Sequence, residues 1–479
     1  MTSPAPSFAR RVAARADAAF PDSLARLSEY LRFPAISCQA ENAPDLRALA
    51  ARIRDDLEAL GLSRARVLEL DGGEAGGALP CVAAEWMGAG PDKPTVLVYG
   101  HLDLQPVKGE TWQSPPHEPT VRGDRLYARG AADDMGGWVS HLAALSAWLE
   151  ETGELPINVK LIIEGEEEIG SPNLERFMDA YPEAFSSDVM VLTDCENPST
   201  DIPGLTVSLR GIAEFEVSVE AIESDIHSGL WGNVVPDVST ILVRLVNRLL
   251  DDDARFAHLR QDVPEAWRKA AWDVPLTPEV IRVGAHLLDG VAPLPDRGRP
   301  PAEWLWRQPA VTILTSTLPT PDRQKNALRS KASMLLSIRV APGQTREQIQ
   351  GLLDNLLLHD VPGAGEHGQV KVAISARSGG AESWLYEPKG PAFEAADRAY
   401  RKAWGRPLLQ IGVGGSIPFV ALFGRRYGDL PLILNGVMDP ETGAHGPNES
   451  LHLGVFQKAI AANVFLYEEL GALGKALVR

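Results

Sequence analysis

Cysteine is scarce in this sequence. Its three residues, Cys38, Cys81 and Cys195, are odd in number and far apart in a chain of 479. No disulfide framework follows from that spacing, and a reducing compartment, the cytoplasm, is the expected setting. Long hydrophobic runs are lacking too, since none approaches the roughly 18 residues that span a bilayer. Basic residues are outnumbered, 46 against 64 acids, for a net charge of -18. That balance argues against a nucleic-acid or anionic-membrane partner, because both need a basic face. No repeat or low-complexity tract is visible. What is present is an ordinary globular composition, 44% hydrophobic and 23% charged, in a chain long enough for two or three domains.

The apolar run Pro94-Thr95-Val96-Leu97-Val98 reads as a buried strand that ends in Tyr99-Gly100-His101-Leu102-Asp103. On an extended backbone, positions i and i+2 face the same way. His101 can therefore bind a metal while Asp103 holds its other ring nitrogen, or the two can form a plain structural pair. Before them, the Arg10, Arg11 and Arg15 segment reads as an amphipathic helix continuing to Arg32, in preference to an organellar leader. Helical spacing returns over Asp45 to Leu60, with strands over Ala65 to Leu70 and Cys81 to Trp86.

After the central strand, Gly130-Ala131-Ala132-Asp133-Asp134-Met135-Gly136-Gly137 crowds small residues around two acids ahead of a helix over Trp138 to Glu150. Such a bend can push a carboxylate into a cleft, or Asp133 or Asp134 can simply cap the helix. A strand over Ile157 to Ile163 runs into Glu164-Gly165-Glu166-Glu167-Glu168. Three consecutive carboxylates repel one another unless solvent or a cation offsets them. A strand over Asp188 to Leu192 ends at Thr193-Asp194. Pro431 to Leu434 leads to Gly443-Ala444-His445, with a helix expected from Leu451.

The middle of the chain differs. Strands are expected over Leu205 to Val219, Ala332 to Val340 (with Met334, Leu336 and Ile338 on one face) and Gln369 to Ile374. Helices are expected over Val238 to Leu250 and Thr345 to Leu358. Asp251 to Pro309, with a helical piece over Pro278 to Leu288, reads as an elaboration. The fold class is thus α/β: a mixed-sheet domain over 1–204 and 385–479, with its chemistry at strand ends, interrupted by an inserted α+β domain over 205–384.

His101, Asp133, Glu168, Asp194 and His445 together make two imidazoles and three carboxylates, a donor set that suits zinc, manganese or cobalt. Five ligands are too many for one catalytic zinc with an open position. They suit two metals about 3.5 to 4 Å apart with one carboxylate bridging. An unassigned Glu beside a ligand would be the general base, and metal-assisted hydrolysis is the reaction class.

Gly100-His101-Leu102-Asp103, the Gly130 to Gly136 stretch, Gly165-Glu166-Glu167-Glu168-Ile169-Gly170-Ser171, Asp194 and Gly443-Ala444-His445 resemble, in order and spacing, the motifs of the di-metal metallopeptidase family. That family includes carnosinases and bacterial dipeptidases, with deacylases and glutamate carboxypeptidases as relatives. The resemblance implies that His101 and Asp194 bind one metal, that Glu168 and His445 bind the other, and that Asp133 bridges. It also implies a cis bond between Asp133 and Asp134, Asp103 as the orienter of His101, and an acid base at Glu166 or Glu167. Glu167 is chosen because the family's acid pair directly precedes x-Gly-Ser.

Further roles follow from the same resemblance. Asp225-Ile226-His227-Ser228-Gly229 is similar to the family's lid segment, whose His stabilises the oxyanion in the partner subunit, so the insertion is a lid and dimerisation domain and the protein a homodimer. Ser337-Ile338-Arg339-Val340 is similar to the segment whose Arg holds the substrate carboxylate, and Asn326 falls near the oxyanion position. Gly412-Val413-Gly414-Gly415-Ser416, with no helix expected after it, is poor evidence for a nucleotide loop. In relatives such a turn offers backbone N–H groups and a hydroxyl, here Gly415 and Ser416, to a carboxylate. Asp at position 194 implies substrates with a free amino end, hence a dipeptidase acting on small peptides. The alternatives are an N-acyl-amino-acid deacylase or carboxypeptidase, and a non-catalytic binding paralogue. His117, His141, His258, His286, His359, His367 and His452 read as structural.

Overall fold

The Val- and Leu-rich run is a strand, Thr95–His101, buried at all but its first residue. In the computed structural model, which describes residues 8–70, 77–285, 287–319, 324–361, 369–415, 417–428, 430–474 and 477, the chain divides into two compact units. One comprises 1–207, 387–411 and 422–479, and the other 208–386 and 412–421.

In the first unit a six-stranded sheet runs in the order Ser63–Leu68, Cys81–Trp86, Asn158–Glu164, Thr95–His101, Val189–Leu192, Leu432–Leu434. The last four are mutually parallel and the first two antiparallel, a mixed sheet. Asn158–Glu164 and Val189–Leu192 are buried throughout. Strands covered on both faces read as continuous apolar runs, which is why these were legible without alternation. The helices Met135–Thr152 and Leu453–Leu473 pack together, and Met135–Thr152 lies against the His101 strand.

The register is what positions the site. His101 lies opposite Glu164, and Tyr99 lies opposite Leu192. Two neighbouring parallel strands therefore end level and the third two residues short of them, and the turns that follow open at one edge, where open α/β sheets bind ligands.

Three expectations need correction. The opening helix is two, Phe8–Ala18 and Phe20–Tyr30, with Pro21 in the first turn of the second, where proline's missing N–H does no harm. The last helix starts at Leu453, because Ser450–His452 is a strand paired with Arg125–Tyr127. His452 caps that helix, its Nδ1 accepting from the Val455 N–H at 3.2 Å. Finally, a helix, Pro418–Tyr427, does follow the Gly412 turn, with Phe419, Val420 and Phe423 buried.

The second unit holds a four-stranded antiparallel sheet in the order Ala310–Ser316, Lys331–Val340, Gly211–Glu220, Lys371–Ala376. Phe215, Val217, Met334, Leu336 and Ile338 form its apolar face, joined in one core with Ile241, Leu242, Leu245, Ile349 and Leu353. The last five come from the helices Val238–Asn247 and Arg346–Leu357, the second opened by a Thr345 and Gln348 capping box. The strand expected over Leu205 to Val219 is two, Gly204–Leu209 and Gly211–Glu220. At the break, a Cβ on Gly211 would lie 2.6 Å from the Ala381 carbonyl, so the chains approach too closely for any side chain. No helix among the described residues is long and apolar enough to cross a membrane.

Candidate metal centre

The five residues converge within the first unit. His101 ends its strand, Glu168 lies in the short helical turn Glu167–Ile169 after Asn158–Glu164, Asp194 follows Val189–Leu192, and His445 follows Leu432–Leu434. Asp133 sits between the imidazoles. Its Oδ1 is 3.2 Å from His101 Nε2 and its Oδ2 is 3.1 Å from His445 Nε2. His445 Nε2 is also 3.2 Å from Glu168 Oε2. Two groups able to hold an ion result, His101 with Asp133 and Asp194, and Asp133 with Glu168 and His445, each with ligand atoms within 4.8 Å of one another. They share Asp133, one oxygen turned to each side.

Supporting contacts fix these groups. His101 Nδ1 lies 3.1 Å from the Asp103 carbonyl and 3.4 Å from its Oδ1, which directs Nε2 into the cluster. Asp103 does more than orient His101: its carboxylate also accepts the N–H groups of Glu167 and Glu168 at 3.1 and 3.0 Å. One buried side chain thereby ties two strand ends together. The adjacent acids divide their labour. Glu166 accepts from the Leu79 N–H at 2.7 Å and from Asn173, whereas no hydrogen bond involves the Glu167 carboxylate among the described residues.

The Asp133–Asp134 peptide bond is cis, as the resemblance implies. Asp134 turns away from the cluster and accepts from the His101 N–H at 3.3 Å and Thr193 Oγ1 at 2.6 Å. Gly100 is required here, because a Cβ would meet Asp134 Oδ2 at 2.6 Å. Sequence reasoning missed Glu449. This buried carboxylate accepts from the N–H groups of Gly130, Ala132 and Asp133 at 3.0, 3.2 and 3.2 Å and from Arg129 Nη1 at 3.0 Å, so it holds the loop that presents Asp133. An acid four residues after His445 was the only available signal.

The charges fit a pair of cations. Burial, then repulsion from Asp133 and Glu167, raises the Asp194 carboxyl well above the usual range. Glu167 is raised in the same way, by burial and by Glu168, Asp103 and Asp133. Burial also opposes ionisation of Asp133, but hydrogen bonds from His101 and His445 outweigh it and hold Asp133 low. Contacts with Asp133 and Glu168 push His445 up to about 11. The acids are thus crowded beyond what two imidazoles offset, and divalent ions bound by these nitrogen and oxygen donors would relieve the repulsion.

The remaining candidates belong to the second unit. His227 and Asn326 are brought together by a short ladder in which Ile226–His227 pairs with Ala327–Leu328, and the Ser228 N–H donates to the Asn326 carbonyl at 3.1 Å. His227 Nδ1 accepts from the Gly229 N–H at 3.0 Å, so the neutral ring carries its proton on Nε2, free to donate outward. Arg339 lies opposite Ile212 and Ala310 in the sheet. Gly415 closes the turn after Leu409–Val413. Ser416 lies outside the described residues, as do His286 and His367. His141 bonds Tyr467 Oη at 2.7 Å and is structural.

A sheet with groups able to hold metal ions gathered at its parallel strand ends defines a class, and the sequence matches that class directly: residues 97–469 match the family described as Peptidase family M20/M25/M40, and the chain belongs to it. Among curated proteins it is similar to a cysteinylglycine-S-conjugate dipeptidase of Corynebacterium striatum, 31% identical over 363 residues, 75% of this chain and 77% of that protein. It is also similar to the human Beta-Ala-His dipeptidase, 28% identical over 479 residues, 94% of this chain and 90% of that protein. Among solved structures, human carnosine dipeptidase 1 superposes with a TM-score of 0.77 at 26% identity, over 98% of this chain and 100% of that one.

Proposed function

We propose that the chain is a di-metal dipeptidase that cleaves the peptide bond of dipeptides or short peptides with a free amino end. The observation that bears most weight is Asp133, whose two oxygens address two imidazoles, while Glu167 stands beside the cluster with no hydrogen bond to its carboxylate among the described residues. The names of the relatives support a dipeptide substrate. His101 and Asp194 would hold one ion, Glu168 and His445 the other, and Asp133 both; zinc, manganese and cobalt suit the donors. Bound there, the ions supply Lewis-acid polarisation of the amide and acidify a water.

The chain's own groups do the rest. Glu167, its proton affinity raised by its surroundings, takes the proton of the attacking water and returns it to the leaving amine. His227 donates its Nε2–H to the oxyanion, with Asn326 beside it. Arg339, the Gly415 N–H and Ser416 receive the substrate's carboxylate. Asp103 keeps His101 and the Glu167 turn in register.

The second unit is the lid and dimerisation domain of a cytoplasmic homodimer in this reading. Support comes from its surface: Leu230, Trp231 and Val234, just after His227, are 74%, 48% and 78% exposed, and Ile313 and Leu314 stand out on an edge strand. The test is hydrolysis by the metal-loaded protein of Ala-Ala against N-acetyl-alanine. Preference for the dipeptide is expected, and preference for the acylated amino acid makes the protein a deacylase.

A further inference from the structure

Arg210 stands at the break between the strands Gly204–Leu209 and Gly211–Glu220, and it is only 8% exposed. A buried guanidinium ordinarily faces a carboxylate, since removing the charge from water is costly without a counter-charge. Among the described residues Arg210 has none. Its Nε donates to the Gly414 carbonyl at 2.9 Å and its Nη1 to the Gln308 carbonyl at 3.3 Å. Its backbone N–H donates to the Val413 carbonyl at 3.3 Å. Nη2 makes no hydrogen bond among the described residues, and a Cβ on Gly414 would lie 3.0 Å from it.

A second cation lies nearby. Arg339 is opposite Ile212 of the strand Gly211–Glu220. Arg210, at the break just before that strand, lies close enough for the Arg339 charge to act on it. We propose that Arg210 is a specificity-determining residue for the free carboxylate of the substrate, its guanidinium tying the Gly414 carbonyl of the Gly412–Gly415 turn to the Gln308 carbonyl and leaving Nη2, alongside Arg339, for an anion.

Burial and the nearby Arg339 bring Arg210 down to about 10, so it stays charged at neutral pH. With its carbonyls engaged by Arg210, the turn is held in one conformation, and two guanidinium groups without a carboxylate on Arg210 form a receptor for a negative group. The proposal rests on the dipeptidase reading above.

The experiment compares kcat and KM for Ala-Ala and for Ala-Ala amide, which lacks the carboxylate, in the metal-loaded wild type, Arg210→Met and Arg210→Lys. In Arg210→Met, KM for Ala-Ala should rise about 10- to 100-fold with little change in kcat, and the preference for Ala-Ala over its amide should fall by the same factor. Arg210→Lys keeps the charge but cannot hold two carbonyls in a planar fork, so it should fall between the two and serves if the Met variant does not fold. Equal loss on both substrates would overturn the inference and leave the dipeptidase reading intact. A wild type that cleaves no dipeptide would instead overturn that reading, and this inference with it.

Discussion

The two units expose their candidate site groups to different degrees. In the first, His101 and Asp103 are fully buried and the side chains of Asp133 and Glu168 are only 7% and 4% exposed, with His445, at 59%, the open side of the cluster. Each buried group is held from behind by strand register, by Asp103 or by Glu449. In the second, His227 is exposed on a ladder of two residue pairs and is followed by open apolar side chains. A centre that must hold two like-charged ions has to be rigid before they arrive, because its repulsions would otherwise spread it. A group proposed to donate one hydrogen bond to an oxyanion has no such requirement, so in that proposal it can ride on a segment completed by a neighbouring surface.

The largest effect should follow from loss of the proposed base. Glu167→Gln is expected to lower kcat by about 10²- to 10⁴-fold while calorimetry still counts two ions per chain. Unchanged turnover would mean that the base is misassigned. Next comes the exposed side of the comparison: His227→Ala should lower kcat about 10²- to 10³-fold with metal binding intact. Mixing the inactive Glu167→Gln and His227→Ala proteins should restore part of the activity if His227 serves a partner chain, and should restore none if it serves its own. Smaller again is Glu449→Gln, which replaces one acceptor oxygen with a donor facing N–H groups. Metal affinity should fall about 10- to 100-fold by calorimetry, with kcat near normal at saturating metal. Equal affinity would show that the Gly130 to Asp133 loop holds itself.

Much of the first unit was legible because His101, Glu168, Asp194 and His445 each come after a short apolar run, and such a run fixes both the strand and the place where its end emerges; Asp133 was marked instead by the small residues around it. The pairing order was not legible, since nothing local says that Asn158–Glu164 enters between Cys81–Trp86 and Thr95–His101. Glu449 was invisible for the same reason: its partner Arg129 is 320 positions away. Glu166 and Glu167 differ by one place in sequence and were separated there only by the x-Gly-Ser pattern of the resemblance; their contacts differ in the structure, since Glu166 accepts from Leu79 and Asn173. The break at Arg210 was masked by alternation that continues across it, although Gly211 marked the close approach.

The smallest expected effect touches no catalytic group. His141 is buried in the helix Met135–Thr152, and burial lowers its pKa to about 3, so the folded state keeps the ring neutral where the unfolded chain would protonate it. The unfolded state then binds more protons between about pH 6.5 and pH 3. The stabilisation is present above about pH 6.5 and is lost as pH falls through that window, at up to about 1.4 kcal/mol per pH unit. His141→Gln can keep a hydrogen bond to Tyr467 but cannot titrate. Its urea midpoint should lie near that of the wild type at pH 7 and fall less steeply toward pH 4.5. Parallel curves for the two proteins would remove His141 from the acid limb and leave groups held low in the folded state, such as Asp133, as its source.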